Sequence, residues 1–151
     1  MSHVDLVSHW RVRAPAERVW SVLTDLGAWP GWWPCVLAVR TLKETGTDGA
    51  GGMRRITCAT RMPQVTAIEI EIGESLRPEC LRCRLHGRLR GEGIWLLRPE
   101  DGFTDLTCVW RIEMETGWMR WRTLVLVPLL RWNHETVMRA GGAGLARHLG
   151  A

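Results

Sequence analysis

The chain has 151 residues, the length of one ordinary domain, and its 46% hydrophobic content is enough to fill a core without disulfide or metal staples. Five cysteines (Cys35, Cys58, Cys80, Cys83, Cys108), odd in number and with no secretory leader before them, read as reduced thiols of a cytoplasmic protein, and no apolar run reaches the roughly 18 residues of a membrane span. A net charge of +4 admits a nucleic-acid partner, but 19 of the 20 basic residues are Arg, which suits a coding bias as well as a selected surface, so no nucleic acid is expected.

The first element is a strand. Val4, Leu6, Ser8, Trp10 and Val12 alternate with Asp5, His9 and Arg11, the period of a half-buried strand. Ala14-Pro15-Ala16-Glu17 then opens a helix with Val19, Trp20, Val22 and Leu23 on its apolar face. Asp25 caps a second short helical turn, and Gly27, Pro30, Gly31 and Pro34 break up the stretch that carries Trp29, Trp32 and Trp33.

An antiparallel meander follows, with strands expected at residues 35–42, 52–60, 65–74, 80–88, 91–98 and 103–115. One hairpin has a testable register. A turn around Leu76-Arg77 would set Glu71 against Arg82 and Glu69 against Arg84 on one face, with Ile72 against Leu81, Ile70 against Cys83 and Ile68 against Leu85 on the other. That pairing makes the basic run from Arg82 to Arg90 mostly an ion-paired sheet face. After Gly117 the period becomes helical, is interrupted at Pro128, and continues through Leu130, His134, Val137, Met138, Gly141, Leu145 and Leu149. A helix over 129–149 would be about 30 Å long. Gly141, Gly142 and Gly144 weaken it by about 1 kcal/mol each and so should serve close approach to the sheet or leave space.

These elements predict an α+β domain spanning residues 1–151, in which a curved antiparallel sheet of six or seven strands wraps a long C-terminal helix, with two short helices after strand one. Three stretches carry a resemblance: Ala14-Pro15-Ala16-Glu17-Arg18-Val19-Trp20 with Leu23-Thr24-Asp25 and the Trp29 to Pro34 cluster; the segment Leu85 to Trp95; and Asn133-His134-Glu135-Thr136-Val137-Met138 with Gly141 and Gly144-Leu145. In this order they resemble the SRPBCC superfamily of helix-grip proteins, which includes START domains, birch-pollen-allergen-like proteins and the polyketide cyclase/dehydrase group. The resemblance spans nearly the whole chain. It implies an internal cavity for a small hydrophobic or amphipathic ligand such as a lipid, a polyketide or a quinone-like molecule, and leaves open whether the ligand is bound, carried or transformed.

The ten Trp, with one Phe and no Tyr, signify either a bulky core or a lined cavity. Trp10, Trp95 and Trp110 fall on inward strand positions, and Trp29 and Trp33 lie in the segment that would close one end of the grip. Together with Met114, Leu130, His134, Val137 and Met138 they form the expected cavity set. Trp118, Trp121 and Trp132 flank the last helix, where they could form a mouth or a patch for a membrane or a partner. His134 is the one polar member of the cavity set, able to orient a ligand or to transfer a proton near neutral pH; the competing reading is a satisfied pocket wall. Asn133 and Glu135 are expected to point elsewhere.

Cys80 and Cys83 are spaced as CxxC, but on a strand they face opposite ways, so no metal is expected. There is no Gly-x-Ser-x-Gly elbow and no phosphate loop, and no cofactor is expected. Three functions remain: a carrier or binding module; a cyclase or dehydratase in which His134, with Arg54 or Arg55, handles protons; and a partner-binding domain. A second ionisable group beside His134 would favour the enzyme, an apolar lining the carrier. Assembly as monomer or homodimer is left open.

Overall fold

The computed structural model describes residues 2–44, 46, 51–59, 67–87, 89–114 and 120–150; for residues 2, 114 and 120–126 it describes the backbone alone. Strand β1 (Ser2–Val12) leads into helix α1 (Ala16–Thr24) and a 3-10 turn (Leu26–Gly31). Six strands follow, β2 (Val36–Lys43), β3 (Met53–Cys58), β4 (Ala67–Leu76), β5 (Cys80–His86), β6 (Gly91–Glu100) and β7 (Phe103–Met114), and then helix α2 (Arg120–Leu149). All neighbouring strands are antiparallel, in the order β1-β7-β6-β5-β4-β3-β2, so β7 returns to pair with the first strand along its whole length. This is the helix-grip architecture.

The sheet holds one core because the inner faces of its strands carry apolar residues. Val4, Leu6, Trp10 and Val12 of β1 are buried, as are Ile70 and Ile72 of β4, Leu81, Cys83 and Leu85 of β5, Trp95 and Leu97 of β6, and Leu106, Cys108, Trp110 and Ile112 of β7. Helix α2 covers this face with Leu130, Met138, Leu145 and Leu149. Helix α1 begins at the N-cap Pro15, with Glu17 in its first turn. Its entry is fixed by Thr104 of β7, which is fully buried and donates its hydroxyl to the carbonyl of Ala14 at 2.7 Å.

Two expectations need correction. The β4–β5 register lies two residues away from the one expected: Glu71 faces Arg84, Ile72 faces Cys83, Ile70 faces Leu85 and Glu69 faces His86. The connection is the reason. Arg77 to Glu79 form a longer loop closed by the Glu79 N–H on the Leu76 carbonyl at 2.7 Å, and β4 is irregular between Ile72 and Ser75. An even shift keeps each side chain on its expected face, which is why the burial pattern could not detect it. The second correction concerns α2, which runs through Pro128 rather than stopping there. Proline deletes one helix hydrogen bond at a cost of about 3 kcal/mol, and the apolar stripe from Leu130 onward, packed on the sheet, outweighs that loss. At 30 residues α2 is about 45 Å long.

The outer face of the sheet is electrostatically balanced along one row. Asp5, Arg111, Glu92, Arg84 and Glu71 stand directly opposite one another on five successive strands, with alternating sign. Arg111 Nε meets Asp5 Oδ1 at 3.1 Å and Arg84 Nη2 meets Glu92 Oε1 at 3.7 Å. Beside the row, His86 Nε2 lies 2.7 Å from Glu71 Oε1 and Arg55 Nη2 lies 2.8 Å from Glu69 Oε1. On this face the arginines serve cross-strand pairs rather than a stripe of one sign.

Candidate functional site

Large rings need matching gaps, and the sequence supplies both. Gly141, Gly142 and Gly144 sit on the inner side of α2, where a methyl group would overlap the Trp33 indole at the first, crowd Trp10 at the second and collide with the Trp32 carbonyl at the third. The Trp33 Nε1–H donates to the Val137 carbonyl at 2.9 Å, and the Trp29 Nε1–H donates to the Leu23 carbonyl at 2.9 Å. Five rings then form one continuous cluster: Trp95 meets Trp10 edge-on at 5.2 Å, Trp10 meets Trp33 at 5.4 Å, and Trp33 contacts Trp29 at 5.0 Å and stacks on Trp32 at 5.4 Å. Such pairs add about 0.5–1.5 kcal/mol each beyond area burial. The cluster is the rigid end of the grip.

Beside it the sheet and α2 do not meet. They leave a cavity of about 110 Å³, to which every strand contributes: Leu6, Val36, Ile56 and Cys58, Ile68 and Ile70, Leu85, Trp95, and Trp110 with Ile112. Trp29 and Trp33 form one end, and Leu130, Asn133, His134, Val137 and Met138 come from α2. The lining is almost wholly apolar.

Of the ten residues expected in the cavity, eight are brought together there: Trp29, Trp33, Trp95, Trp110, Leu130, His134, Val137 and Met138. Trp10 is not among the lining residues; it stands behind the wall, between Trp33 and Trp95 and against Gly142, where its ring packs the second layer. The side chain of Met114 lies outside the described residues, as do Trp118 and the side chain of Trp121. Trp132 is 43% exposed, on the outer side of α2. Arg54 and Arg55 do not reach His134: Arg54 donates to the carbonyls of Lys43 and Met53, and Arg55 pairs with Glu69.

Asn133, contrary to the expectation that it points away, is 7% exposed and lines the cavity next to His134. Its spacing from Leu130 and Val137, three and four residues, already places it on the inward stripe, and only its polarity argues otherwise. His134 itself is partly buried, and its Nε2 is shielded from solvent without a hydrogen-bond partner. Burial pushes its imidazole down to about 4, so the ring is neutral at physiological pH. The Cys58 thiol, in the same lining, is pushed up to about 11, by burial first and by neighbouring Cys35 second, and stays protonated. No cluster of His, Cys, Asp or Glu that could hold a metal occurs among the described residues.

The sequence matches the family model described as polyketide cyclase/dehydrase and lipid transport over residues 3–150. The chain belongs to that family. No curated protein matches the sequence. Among solved structures, the Zhui aromatase/cyclase of a Streptomyces species is similar at a TM-score of 0.78 and 18% identity, over 96% of this chain and 93% of that one. A START superfamily protein of Mycobacterium smegmatis aligns at a TM-score of 0.73 and 16% identity, with 97% of each chain covered. The protein TTHA0849 of Thermus thermophilus aligns at a TM-score of 0.69 and 20% identity, over 96% of this chain and 99% of that one. At these identities the likeness speaks to the fold, which these proteins share with this family member. No helix among the described residues is long and apolar enough to cross a membrane.

Proposed function

We propose that this family member binds a small, predominantly apolar ligand in the cavity between the sheet and α2. The observation that carries the reading is the composition of that space: apolar residues from all seven strands, closed by Trp29 and Trp33, with Asn133 and His134 as polar groups on the helix wall. Such a site retains a ligand by desolvation and orients it with few hydrogen bonds.

The alternative, a cyclase or dehydratase using His134 as acid and base, needs a second group to take or return the proton. The described lining offers Asn133, which does not titrate, and Cys58, which burial keeps protonated. A neutral imidazole with a lowered affinity for protons is also a poor general acid at pH 7. Binding or carriage is therefore the better-supported function, and the description of the family covers lipid transport as well as cyclase and dehydrase activity.

Native mass spectrometry of gently purified protein, with Trp fluorescence recorded against a panel of apolar probes, tests it. Retained small molecules or a saturable change in emission are expected. No retained mass and no response to any probe would overturn the reading.

A further inference from the structure

We propose that the outer face of the sheet, over β1, β7 and β6, is a self-complementary surface on which a second copy of this chain docks to form a weak twofold dimer. The order of four successive rows of side chains across those strands carries the proposal.

The first row, Asp5, Arg111 and Glu92, reads negative, positive, negative. Three rows further along, Arg11, Asp105 and Arg98 read positive, negative, positive. Between them lie Val7, Val109 and Ile94, and then His9, Thr107 and Leu96, so the charged rows bracket a strip in which only His9 is titratable. Val7 is 50% exposed and Leu96 42%, on the side of the sheet that α2 does not cover. An exposed apolar strip with a charged border has the composition of an interface centre and its polar rim.

Symmetry and charge together name the occupant. Two closed arrangements bring this face against a copy of itself. A twofold axis along β7 sets Asp5 on the second copy's Glu92 and Arg111 on the second copy's Arg111, so like charges meet in both charged rows. A twofold axis across the strands, between the two middle rows, keeps each strand over its own counterpart and reverses its direction. Asp5 then faces Arg11, Arg111 faces Asp105 and Glu92 faces Arg98 of the second copy, each contact occurring twice, while Ile94 meets Leu96 in the middle. Had both charged rows begun with the same sign, this arrangement would be repulsive too. The opposite phase makes it attractive at every charged position and fixes its register.

The relief agrees with the charges. A depression lies over Asp105 and Thr107, between His9 and Arg11 on one side and Leu96 and Arg98 on the other. The same operation sets the second copy's Arg111 and Val109 above that depression. With strands about 4.8 Å apart and rows about 6.8 Å apart, the patch measures roughly 15 by 25 Å. That is well below the roughly 800 Å² per partner of a standard interface, so the dimer is weak, and contacts between exposed charges make it sensitive to salt.

Sedimentation velocity of the full chain, from about 10 µM to about 1 mM protein and at about 0.05 M and about 0.5 M salt, tests this. At low salt the wild type should pass from monomer to dimer across that range, and high salt should raise its dissociation constant at least about tenfold. Arg98→Glu and Glu92→Arg each set like charges together twice, so each variant alone should stay monomeric. An equimolar mixture of the two should dimerise, because in the mixed pair residues 92 and 98 again carry opposite charges. If either variant fails to fold by circular dichroism, Asp5→Arg and Arg11→Asp make a second pair with the same logic, and the wild-type series stands by itself. A wild type that stays monomeric at low salt, a dimer that salt leaves unchanged, single variants that dimerise as the wild type does, or a mixture no more associated than its components would each overturn the proposal.

Discussion

Trp33 Nε1 donates to the Val137 carbonyl at 2.9 Å, so the segment that follows the 3-10 turn is fastened to α2 less than one helical turn from His134. The same indole fills the space above Gly141. A single side chain thereby sets the separation between the Trp cluster and the helix, and with it the depth of the cavity. The closing end of the grip is a clamp of packed rings, tied to α2 by one partly buried hydrogen bond and by the missing side chain beneath it.

Gly141→Ala should therefore destabilise the protein, although alanine is the better helix former. Propensity favours the change by about 1 kcal/mol, whereas overpacking against a clamped indole costs about 1–3 kcal/mol. Chemical denaturation should show a net loss, and pairing the change with Trp33→Phe should recover part of it. A higher denaturation midpoint for Gly141→Ala would show that Trp33 is free to move.

Thr104→Val tests the attachment of α1 to the sheet. The substitution keeps the shape but removes the hydroxyl that donates to the Ala14 carbonyl at 2.7 Å and leaves that carbonyl unpaired in a buried setting. The expected loss is about 1–3 kcal/mol in urea unfolding, with no change in ligand binding.

Stability should also depend on the protonation of His134. Its proton affinity is lowered in the folded state to about 4 from the ordinary 6.5. As pH falls below 6.5 the unfolded chain takes up a proton that folded His134 refuses, so this contribution is complete above 6.5, declines towards pH 4 and is flat below. The total is about 3 kcal/mol. Denaturation midpoints of the wild type and His134→Leu, compared from pH 7.5 to 4, should diverge in that window, with the wild type losing more. Parallel curves would mean that His134 is not held neutral.

Val137→Phe should fill the cavity. A ring at this partly buried lining position adds apolar contacts where the native packing has a void, so stability should stay within about 1 kcal/mol of the wild type while binding of apolar probes is lost. Unaltered binding would place the ligand elsewhere.

Most of the fold is legible in the sequence because its determinants are periodic. Alternation marks Val4 to Val12 and Leu106 to Met114 as strands with one apolar face, and the 3–4 spacing from Leu130 onward marks the helix that covers them. What escapes is what periodicity does not encode. The β4–β5 register is set by a loop and an irregularity, and an even slip leaves burial unchanged. Helix α2 passes Pro128 because tertiary packing outweighs one lost bond. At the site, His134 is visible as a polar residue on an apolar stripe, while the polarity of Asn133 hides its place on the same stripe. Trp10 escapes the lining because inward direction alone does not separate a wall from the layer behind it. The glycines are recognisable as space-makers, but only the packed rings reveal that the space is taken by tryptophan.

The central claim, that the space between sheet and α2 receives a ligand, is tested most directly by a crystal of the protein soaked with bromobenzene and measured at the bromine absorption edge. An anomalous peak enclosed by Trp33, Ile70 and Val137 is the expected result. A well-ordered crystal with bromine only on the outer surface, and the cavity empty at a saturating soak, would contradict it.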